Sequence, residues 1–404
     1  MHSEGVNFVS LNVRGLSNLK KRRSVFTWCK NRKGDIVFIQ ETHCSKECQN
    51  KWKSEWGGKV FFSNGESNAR GVSILIKKGL DFEEKKLYND SSGRYLIVNC
   101  EINGKEYWLV NIYAPNKEKD LANFYTNLLR KLEEIGLDEN KNIVLGGDFN
   151  CCLNPLLDKK GGSNQKQKMS VIKCILQIQS KLNLQDIWRI KNPNKMSFTW
   201  SQRKPQVFCR LDFWLLSSEL HDFAEKIDII PAIRTDHSAI FINIKNEIND
   251  IKGPGYYKLN TSILDDPTYV EQMTSLLKTW SKESETHFSD NRVKWDWVKF
   301  KIREFSISFS KEIRKEQREK EEKTQNVLKQ AKRDYEECSS KENEIKLEEA
   351  KTVLENIYEE RTRGIILRSK VKWHEQGEKN TKYFFEFRKP KPEQKTYEES
   401  YSKR

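Results

Sequence analysis

The sequence lacks any long apolar run. No stretch of 18 consecutive apolar residues is present, and the first residues show none of the charged, apolar and small-residue regions of a secretory signal. A chain without such segments is not expected to span a membrane or to be secreted. We therefore expect an intracellular protein with no membrane partner.

Paired cysteines are also missing, and histidines are few. The nine cysteines include no C-x-x-C pair, and an odd number in a chain of 404 residues does not indicate a disulfide framework. Cys44, Cys48 and the nearby His43 have no second pair that would complete a tetrahedral zinc site. With only six histidines in the chain, we expect reduced thiols and no soft metal.

Basic residues outnumber acidic ones, and the formal net charge is +15. Such an excess attracts polyanions, so nucleic acid or an anionic membrane surface is the expected partner. Residues 311–361 are an exception, because 13 basic and 15 acidic residues give them a net charge of −2. Apolar residues recur there at helical intervals, which predicts a solvated helical hairpin or coiled coil rather than a nucleic-acid-binding arm. Such a tail is a candidate for self-association or association with other proteins.

Short apolar runs alternate with amphipathic stretches from Val6 to about Ile244. Apolar spacing near 3.6 predicts helices around 19–31, 118–135 and 167–183. Several of the apolar runs have no polar face, so they predict buried strands of a layered α/β domain. The predicted strands are VNFVSLNV, DIVFIQET, GVSILIKK, RYLIVNCEI, YWLVNIYAP, NIVLGGDFN, RLDFWLLS and HSAIFINI.

Gly253, Pro254 and Gly255 interrupt this alternation, and helical patterns follow them. We therefore predict one α/β domain at 1–250 and a linker with short helices at 251–310. The charged helical hairpin or coiled-coil region is predicted to occupy 311–404.

Polar clusters stand at or beside the ends of five predicted strands, where sheet-based active sites collect their groups. A sixth cluster, in RTDHSAI, precedes its strand. The residues of these six clusters are Asn12, Glu41, Tyr113, Asn116, Asp148, Asn150, Asp212, Thr235, Asp236 and His237.

Each cluster has a simpler explanation when it is taken alone. Glu41 suits an ordinary polar strand end, and Asp148 with Asn150 suits a turn. Asp236 and His237 suit a helix cap or a satisfied loop histidine. Together they favour phosphodiester cleavage, which needs a hard cation, a carboxylate to orient water and donors for the phosphorane oxygens. Carboxylates suited to Mg²⁺ or Mn²⁺ are Glu41, Asp148, Asp212 and Asp236, and the donors are Asn12, Tyr113, Asn150 and His237.

Six motifs in the same order resemble those of exonuclease III-like apurinic/apyrimidinic endonucleases and of the endonuclease domains of LINE-type retrotransposons. They are LNVRGL at 11–16, IQET at 39–42, NIYAPN at 111–116, GDFN at 147–150, RLDF at 210–213 and TDHS at 235–238. The resemblance covers roughly residues 5–246. It implies a four-layer α/β sandwich, with two packed β-sheets flanked by helices, followed here by an all-α, charged C-terminal extension.

The resemblance assigns roles to the first four motifs. Glu41 would ligate the metal, and Asp148 would activate or orient the attacking water. Asn12 and Asn150 would hold that carboxylate and the scissile phosphate, while Tyr113 would contact the phosphate or leaving group. The implied ligands of Mg²⁺, with Mn²⁺ as a substitute, are Glu41, Asp148, Asn150, Asp236, His237 and Asn12.

The remaining motifs imply further contacts. His237 would donate to a non-bridging oxygen, with Asp212 fixing its tautomer, and Asp236 would assist the leaving oxygen or a second metal position. Thr199 in SFTW matches a phosphate-contacting threonine. The implied DNA- or phosphate-binding residues are Asn12, Tyr113, Asn116, Thr199 and Thr235.

Two positions depart from the repair enzymes. Arg14 stands where they place an aspartate, so one metal ligand is lost. Cys209 stands where they place a tryptophan that lines the pocket for a flipped-out abasic sugar, although Trp200 is available as a wall. Specific repair of abasic sites is thereby put in doubt.

Segments 253–264 and 373–385 resemble the linker between endonuclease and reverse transcriptase in LINE polyproteins. No Y-x-D-D-type polymerase motif follows, so we expect a truncated or domesticated retrotransposon protein that nicks double-stranded DNA in the nucleus, with element RNA as a further partner. The alternatives are an abasic-site endonuclease or 3′-exonuclease in repair, and a catalytically dead nucleic-acid-binding remnant. KKRR at 20–23 suits a nuclear localisation signal, but a solvated helix face is the simpler interpretation.

Overall fold

The computed structural model describes residues 5–65, 69–138, 141–162, 169–245, 259 and 261–377, with side chains described as far as residue 366. Most of the strands in these ranges belong to two six-stranded sheets. The strands are β1 (Gly5–Asn12), β2 (Ile36–Gln40), β3 (Lys59–Ser63), β4 (Val72–Ile76), β5 (Phe82–Asn89), β6 (Tyr95–Ile102), β7 (Lys105–Tyr113), β8 (Ile143–Asp148), β9 (Lys159–Gly161), β10 (Leu184–Asp186), β11 (Trp200–Gln202), β12 (Val207–Cys209), β13 (Asp212–Ser217), β14 (Ala224–Pro231) and β15 (Ser238–Lys245).

Helices lie outside the two sheets and in the C-terminal part of the chain. They are α1 (Leu19–Asn31), α2 (Gln49–Trp56), α3 (Glu118–Glu134), α4 (Pro155–Asp158), α5 (Met169–Lys181), α6 (Ile187–Lys191), α7 (Pro267–His287), α8 (Asn291–Glu337) and α9 (Lys341–Gly377). In the described part of the chain no helix combines the length and the apolarity needed to cross a bilayer.

The two sheets pack face to face through large apolar side chains. The first sheet has the order β14-β15-β1-β2-β4-β3 and the second β10-β13-β8-β7-β6-β5. Trp214 of the second sheet contacts Phe8 and Phe38 of the first, with ring centroids 6.2 and 5.1 Å apart. Gly146 makes room for this indole, because a Cβ at that position would lie 2.3 Å from the ring. The contact therefore sets how closely the sheets approach.

Helices cover both outer faces, which completes the predicted four layers. Phe26 and Trp28 of α1 and Trp52 of α2 are buried against the first sheet. Leu121 of α3 and Ile175 of α5 are buried against the second. The predicted fold class is confirmed: two packed sheets flanked by helices, followed by an all-α extension.

The predicted elements agree well with the observed ones. The eight apolar runs form β1, β2, β4, β6, β7, β8, β13 and β15, and the three amphipathic stretches form α1, α3 and α5. The other seven strands were not predicted, namely β3, β5, β9, β10, β11, β12 and β14. The basic run at 20–23 lies in the first turns of α1, as expected for a helix. The predicted solvated face is only partly right, because Arg22 is buried and bonds Glu55 at 2.6 Å.

The C-terminal region differs in detail from the expectation. Residues 251–310 were expected to hold short helices, but α7 has 21 residues and α8, which begins at Asn291, has 47. The predicted break at 253–255 lies outside the described residues. The division of the chain at 250 and 310 stays a prediction.

Helices α8 and α9 form a hairpin that packs on the sandwich, so the tail is less solvated than its charge suggests. Leu328 of α8 and Leu354 and Tyr358 of α9 are buried in one cluster with Val25 and Trp28 of α1. Beside them, Glu321 of α8 is buried and accepts hydrogen bonds from Arg32, directly after α1, and from Arg361 of α9. Acidic residues of the tail therefore meet basic residues of the sandwich, a pairing that a count of charges along the sequence cannot reveal.

Replacing Leu354, which is fully buried, tests this docking. We expect Leu354→Ala to lower the free energy of unfolding by about 2–5 kcal/mol, because the substitution leaves a cavity under α9. Neighbouring Val353 is 50% exposed, so Val353→Ala should change it by less than about 0.5 kcal/mol. Urea unfolding measures both values, and equal effects of the two substitutions would contradict the observed packing.

Candidate active site

The polar clusters predicted from strand ends meet at one edge of the sandwich. In the first sheet β1 and β2 run parallel and deliver Asn12 and Glu41. In the second sheet β7 and β8 run parallel and place Tyr113 beside Asp148. Asp212 begins the antiparallel strand β13 directly opposite Asp148. Because parallel strands end at the same edge, residues far apart in sequence come together there.

Asn12 joins the two sheets at this edge. Its carboxamide nitrogen donates to Glu41 Oε1 at 3.0 Å and to Asp148 Oδ2 at 2.9 Å. Its Oδ1 accepts the backbone N–H of Arg14 at 3.0 Å, which fixes the orientation of the amide. Asn12 is buried. Its two hydrogen bonds therefore hold the carboxylates of Glu41 and Asp148 close together despite their mutual repulsion.

A second group of polar residues flanks Asp148. The backbone N–H of Asn150 donates to Asp148 Oδ1 at 3.0 Å, and the Asn150 side chain donates to Ala114 O at 2.8 Å and to Asn116 Oδ1 at 3.3 Å. The Tyr113 hydroxyl also donates to Asn116 Oδ1, at 3.3 Å. Burial and then nearby Glu41 raise the pKa of Tyr113, so the phenol stays neutral and remains a donor.

His237 and Asp212 form a buried pair. His237 Nδ1 lies 3.0 Å from Asp212 Oδ2, which places a proton on Nδ1 and turns Nε2 toward Asp148 Oδ2, 3.9 Å away. Burial opposes the charged imidazole, but Asp212 and then Asp148 raise the pKa of His237 to about 9. Burial and then Asp212 raise the pKa of Asp148 to about 7, against the opposing effect of His237. The arrangement concentrates negative charge in a buried space.

These residues suit a hard divalent cation. Ligand atoms of Asp148, Asp212 and His237 lie within 4.8 Å of one another, in the one such group found among the described residues. Asp212 Oδ1 is buried without a hydrogen-bond partner. The oxygen atoms of Glu41 and Asp148 are the ligands that Mg²⁺ or Mn²⁺ takes, and a cation would offset the charge that raises the pKa of Asp148.

Asp236 and Arg14 lie at the outer side of the site. Asp236 Oδ2 is 3.2 Å from Arg14 Nη1, and their side chains are 34% and 69% exposed. Arg14 therefore places positive charge next to Asp236. This pairing disfavours a second metal position at Asp236.

Thr199 and Thr235 bind backbone groups next to the site residues. Thr199 is fully buried, and its hydroxyl oxygen accepts the backbone N–H groups of Leu211 and Asp212 at 2.9 and 3.2 Å. Thr235 donates to Asn12 O at 2.8 Å and accepts from the His237 N–H at 3.3 Å. Both hydroxyl oxygens thus bind backbone groups of the site. The phosphate contacts of Thr199 and Thr235 stay predictions.

A buried ion network behind β13 was not predicted from the sequence. Arg210 donates to Asp158 Oδ1 at 2.7 Å and to Asp186 Oδ2 at 2.6 Å, and all three residues are buried. Arg210 Cζ also lies 4.3 Å from the centroid of the Phe213 ring. The network fixes the backbone on both sides of Asp212. Asp158 carries no local motif, so no sequence signal identified it.

Arg94 is a second residue that the sequence did not single out. Its guanidinium lies 4.7 Å from the centroid of the Tyr113 ring, and it donates to Tyr113 O and Ala114 O at 3.4 and 3.3 Å. It therefore adds positive charge to the edge of the site. A lone arginine before a strand gives no signal for such a position.

Replacing Asp212 tests the electrostatics of the buried pair. We expect Asp212→Asn to lower the pKa of His237 by about 2, because the imidazolium loses its nearest counter-charge. Asp236→Asn is the matched control and should have a smaller effect, since Asp236 is partly exposed and bound to Arg14. NMR titration of the histidine rings in metal-free protein measures both values. An unchanged titration of His237 in Asp212→Asn would contradict the pairing.

The chain is similar to two known proteins along part of their length. The chain is similar to the Transposon TX1 uncharacterized 149 kDa protein of Xenopus laevis, with 24% identity over 388 residues, 96% of this chain and 29% of that protein. It is also similar to DNA-(apurinic or apyrimidinic site) endonuclease 2 of Schizosaccharomyces pombe, with 26% identity over 178 residues, 39% of this chain and 33% of that protein. The chain therefore spans about a third or less of the length of these relatives.

Solved structures share the fold. An AP endonuclease from Archaeoglobus fulgidus superposes with a TM-score of 0.51 at 19% identity, over 60% of this chain and 100% of that one. AP endonuclease LMAP from Leishmania major gives 0.52 at 17% identity, over 60% and 88%. These findings support the resemblance drawn from the six motifs. The model of the Endonuclease/Exonuclease/phosphatase family matches residues 9–237. This is more than half of the chain and spans every strand end that meets at the site, so the chain belongs to the Endonuclease/Exonuclease/phosphatase family.

Proposed function

We propose that this protein is a divalent-metal-dependent DNA endonuclease that hydrolyses phosphodiester bonds. The observation that carries the proposal is the bridge from Asn12 to Glu41 and Asp148, next to the His237–Asp212 pair. This places two carboxylates, one cationic donor and a neutral phenol around one small space. The net charge of +15 and the name of the yeast relative, which specifies DNA, favour DNA as the substrate.

The protein residues divide the chemistry among them. Asp148 orients the attacking water and takes up its proton, while Asn12 and the Asn150 N–H hold that carboxylate. His237, with Nδ1 bound to Asp212, donates from Nε2 to a phosphate oxygen. A bond forms between the water oxygen and phosphorus as the bond to the leaving sugar oxygen breaks. Tyr113 remains a neutral donor to the phosphate or the leaving group.

Glu41 and Asp148 are the residues we propose to hold Mg²⁺, with Mn²⁺ as a substitute. Asn12 and Asn150 complete the polar surroundings, since the Asn12 carboxamide nitrogen and the Asn150 N–H both donate to Asp148. His237 Nε2 faces the same space. When bound, the cation would neutralise the negative charge that builds up on the oxygens of the pentacoordinate phosphorus. Asp236 is the residue we propose to assist the leaving oxygen. Its ion pair with Arg14 offsets its negative charge near the phosphate.

The biological role we propose is nicking of target DNA as in LINE-type retrotransposition. The transposon protein of Xenopus laevis aligns with 96% of this chain, including the helical tail. The yeast relative named as an abasic-site endonuclease aligns with 39% of it. The nucleus as the place of action, element RNA as a partner and association through the tail remain predictions.

The residues around the site also bear on the alternative function, abasic-site repair. Cys209 is a small buried residue where the repair enzymes place tryptophan. Trp200 is bridged through its backbone to His237, and both residues line a cavity of about 150 Å³. The wall for an extruded sugar is therefore incomplete, which favours cutting of intact DNA.

Plasmid nicking tests the proposed activity and its residues. With Mg²⁺, we expect the protein to convert supercoiled plasmid to the open circle and EDTA to abolish the conversion. Glu41→Ala and His237→Ala should lower the rate at least about 100-fold, because each removes a group that acts on the phosphate. The matched control is His221→Ala, since His221 lies at the opposite end of β13 from Asp212, and it should nick at the wild-type rate. Undiminished nicking by both site variants would refute the assignment.

Comparison of an abasic duplex with an intact duplex of the same sequence separates nicking from repair. We expect values of kcat/KM that differ by less than about tenfold, because no complete pocket selects the missing base. Cleavage of end-labelled oligonucleotides gives both values. A preference of several hundredfold for the abasic strand would instead favour a repair enzyme.

A further inference from the structure

The segment 231–238, which carries Asp236 and His237, is anchored by the α8–α9 hairpin. Gln325 of α8 donates to Pro231 O at 2.9 Å. Lys351 of α9 donates to Thr235 O at 2.8 Å. These contacts join residues that are 94 and 116 positions apart in the sequence. A segment that would otherwise be a surface loop is thus fixed by helices outside the family domain.

One anchor holds the backbone in a disfavoured conformation. Arg234 has φ of +57°, in the left-handed region that residues with a Cβ rarely adopt. Its N–H donates to Glu355 Oε1 at 2.7 Å, and its guanidinium lies 3.2 Å from Glu359 Oε2. Such a conformation persists when surrounding contacts over-determine it. Here the contacts come from Glu355 and Glu359 of α9. Arg234 itself lies two residues before Asp236.

Lys332 reaches closest to the reacting groups. Its ammonium donates to Phe198 O at 2.7 Å and to Ser238 Oγ, and its side chain is only 18% exposed. Phe198 and Ser238 are the neighbours of Thr199 and His237. The Ser238 N–H in turn donates to Thr199 O at 2.7 Å. Lys332 therefore clamps together the two backbone segments on which the His237–Asp212 pair rests.

The clamp continues to Asp212 through Thr199. The Thr199 hydroxyl accepts the backbone N–H of Asp212 at 3.2 Å, so a displacement of the segment at 198–199 moves Asp212. Lys332 thus acts on both members of the pair, His237 through Ser238 and Asp212 through Thr199. Displacements of about 1 Å at reacting groups lower turnover by up to about 100-fold.

We propose that the α8–α9 hairpin is part of the active-site scaffold and that Lys332 is a positioning residue for His237 and Asp212. The inference rests on the proposed nuclease function, which it deepens. The hairpin does not touch the substrate in this account. It fixes the backbone from which the catalytic pair projects, so the family domain of this chain depends on its helical tail for full turnover.

Lys329 provides a matched control on the same helix. Its ammonium bonds Asp228 of β14 at 2.7 Å, so it also docks α8 on the sandwich. None of its described hydrogen bonds reaches segments 198–199 or 231–238. Lys332→Met and Lys329→Met each remove one docking ammonium and keep the length of the aliphatic stem. Lys332→Arg keeps the charge at the first position.

The kinetic test uses the full chain, Mg²⁺ and an intact duplex. We expect Lys332→Met to lower kcat by about tenfold or more with KM within about twofold of the wild-type value, because positioning acts on the transition state. Lys332→Arg should recover most of the lost rate, and Lys329→Met should keep it. Equal losses in the two Met variants, or a raised KM with unchanged kcat, would overturn the inference.

Hydrogen–deuterium exchange gives a readout that does not depend on activity. The Ser238 amide, which donates to Thr199 O, should exchange faster in Lys332→Met and at the wild-type rate in Lys329→Met. If the wild-type protein does not nick DNA, the proposed function fails and exchange alone decides the anchoring. Unchanged exchange at Ser238 in Lys332→Met would overturn it.

Discussion

The buried carboxamide of Asn12 is the interaction on which the site depends. Asn12 ends β1 in the first sheet, yet it donates to Asp148 at the end of β8 in the second and to Glu41 beyond β2. Apolar packing alone specifies the alignment of two sheets less uniquely than paired buried polar groups do. Beneath this bridge, Gln40 of the first sheet donates to Asn111 of the second at 2.7 Å. Buried polar groups that pair between sheets specify one alignment, and that alignment brings the carboxylates together.

Buried charge is the second constraint, and it explains why the site needs its surroundings. Asp148 and Asp212 face each other across β8 and β13, and His237 is the cationic partner of both in the described ion pairs. The raised pKa of Asp148, caused by burial and Asp212, records the unfavourable energy of this arrangement. Groups in such a state are held by rigid supports. Arg210, with Asp158 and Asp186, supplies one such support on the far side of β13.

The α8–α9 hairpin also supports the site, although it lies outside the segment that matches the family. The family match ends at residue 237, whereas contacts to the site come from Lys332, Lys351 and Glu355. Residues 311–361, with a net charge of −2, are therefore better described as a docked hairpin than as a solvated one. Its charged residues pair with the sandwich, and its apolar residues extend the cluster around Trp28.

The sequence by itself determined the elements that have a short-range signal. Buried strands are continuous apolar runs, and amphipathic helices repeat every 3.6 residues, so β1, β8, α1 and α3 could be read directly. Polar residues at strand ends predicted Asn12, Glu41, Asp148 and Asp212 for the same reason. Strand β5 was missed because five consecutive residues of it are exposed, so its sequence has no apolar run.

Tertiary structure alone decided which distant residues meet. No pattern near Asp158, Arg94 or Lys332 distinguishes it from an ordinary surface residue, because the partner of each lies far along the chain. The pairing of Arg14 with Asp236 likewise depends on a contact across 222 positions. Such contacts follow from the packing of whole layers, since the position of a long charged side chain is set by the backbone that folding brings beside it.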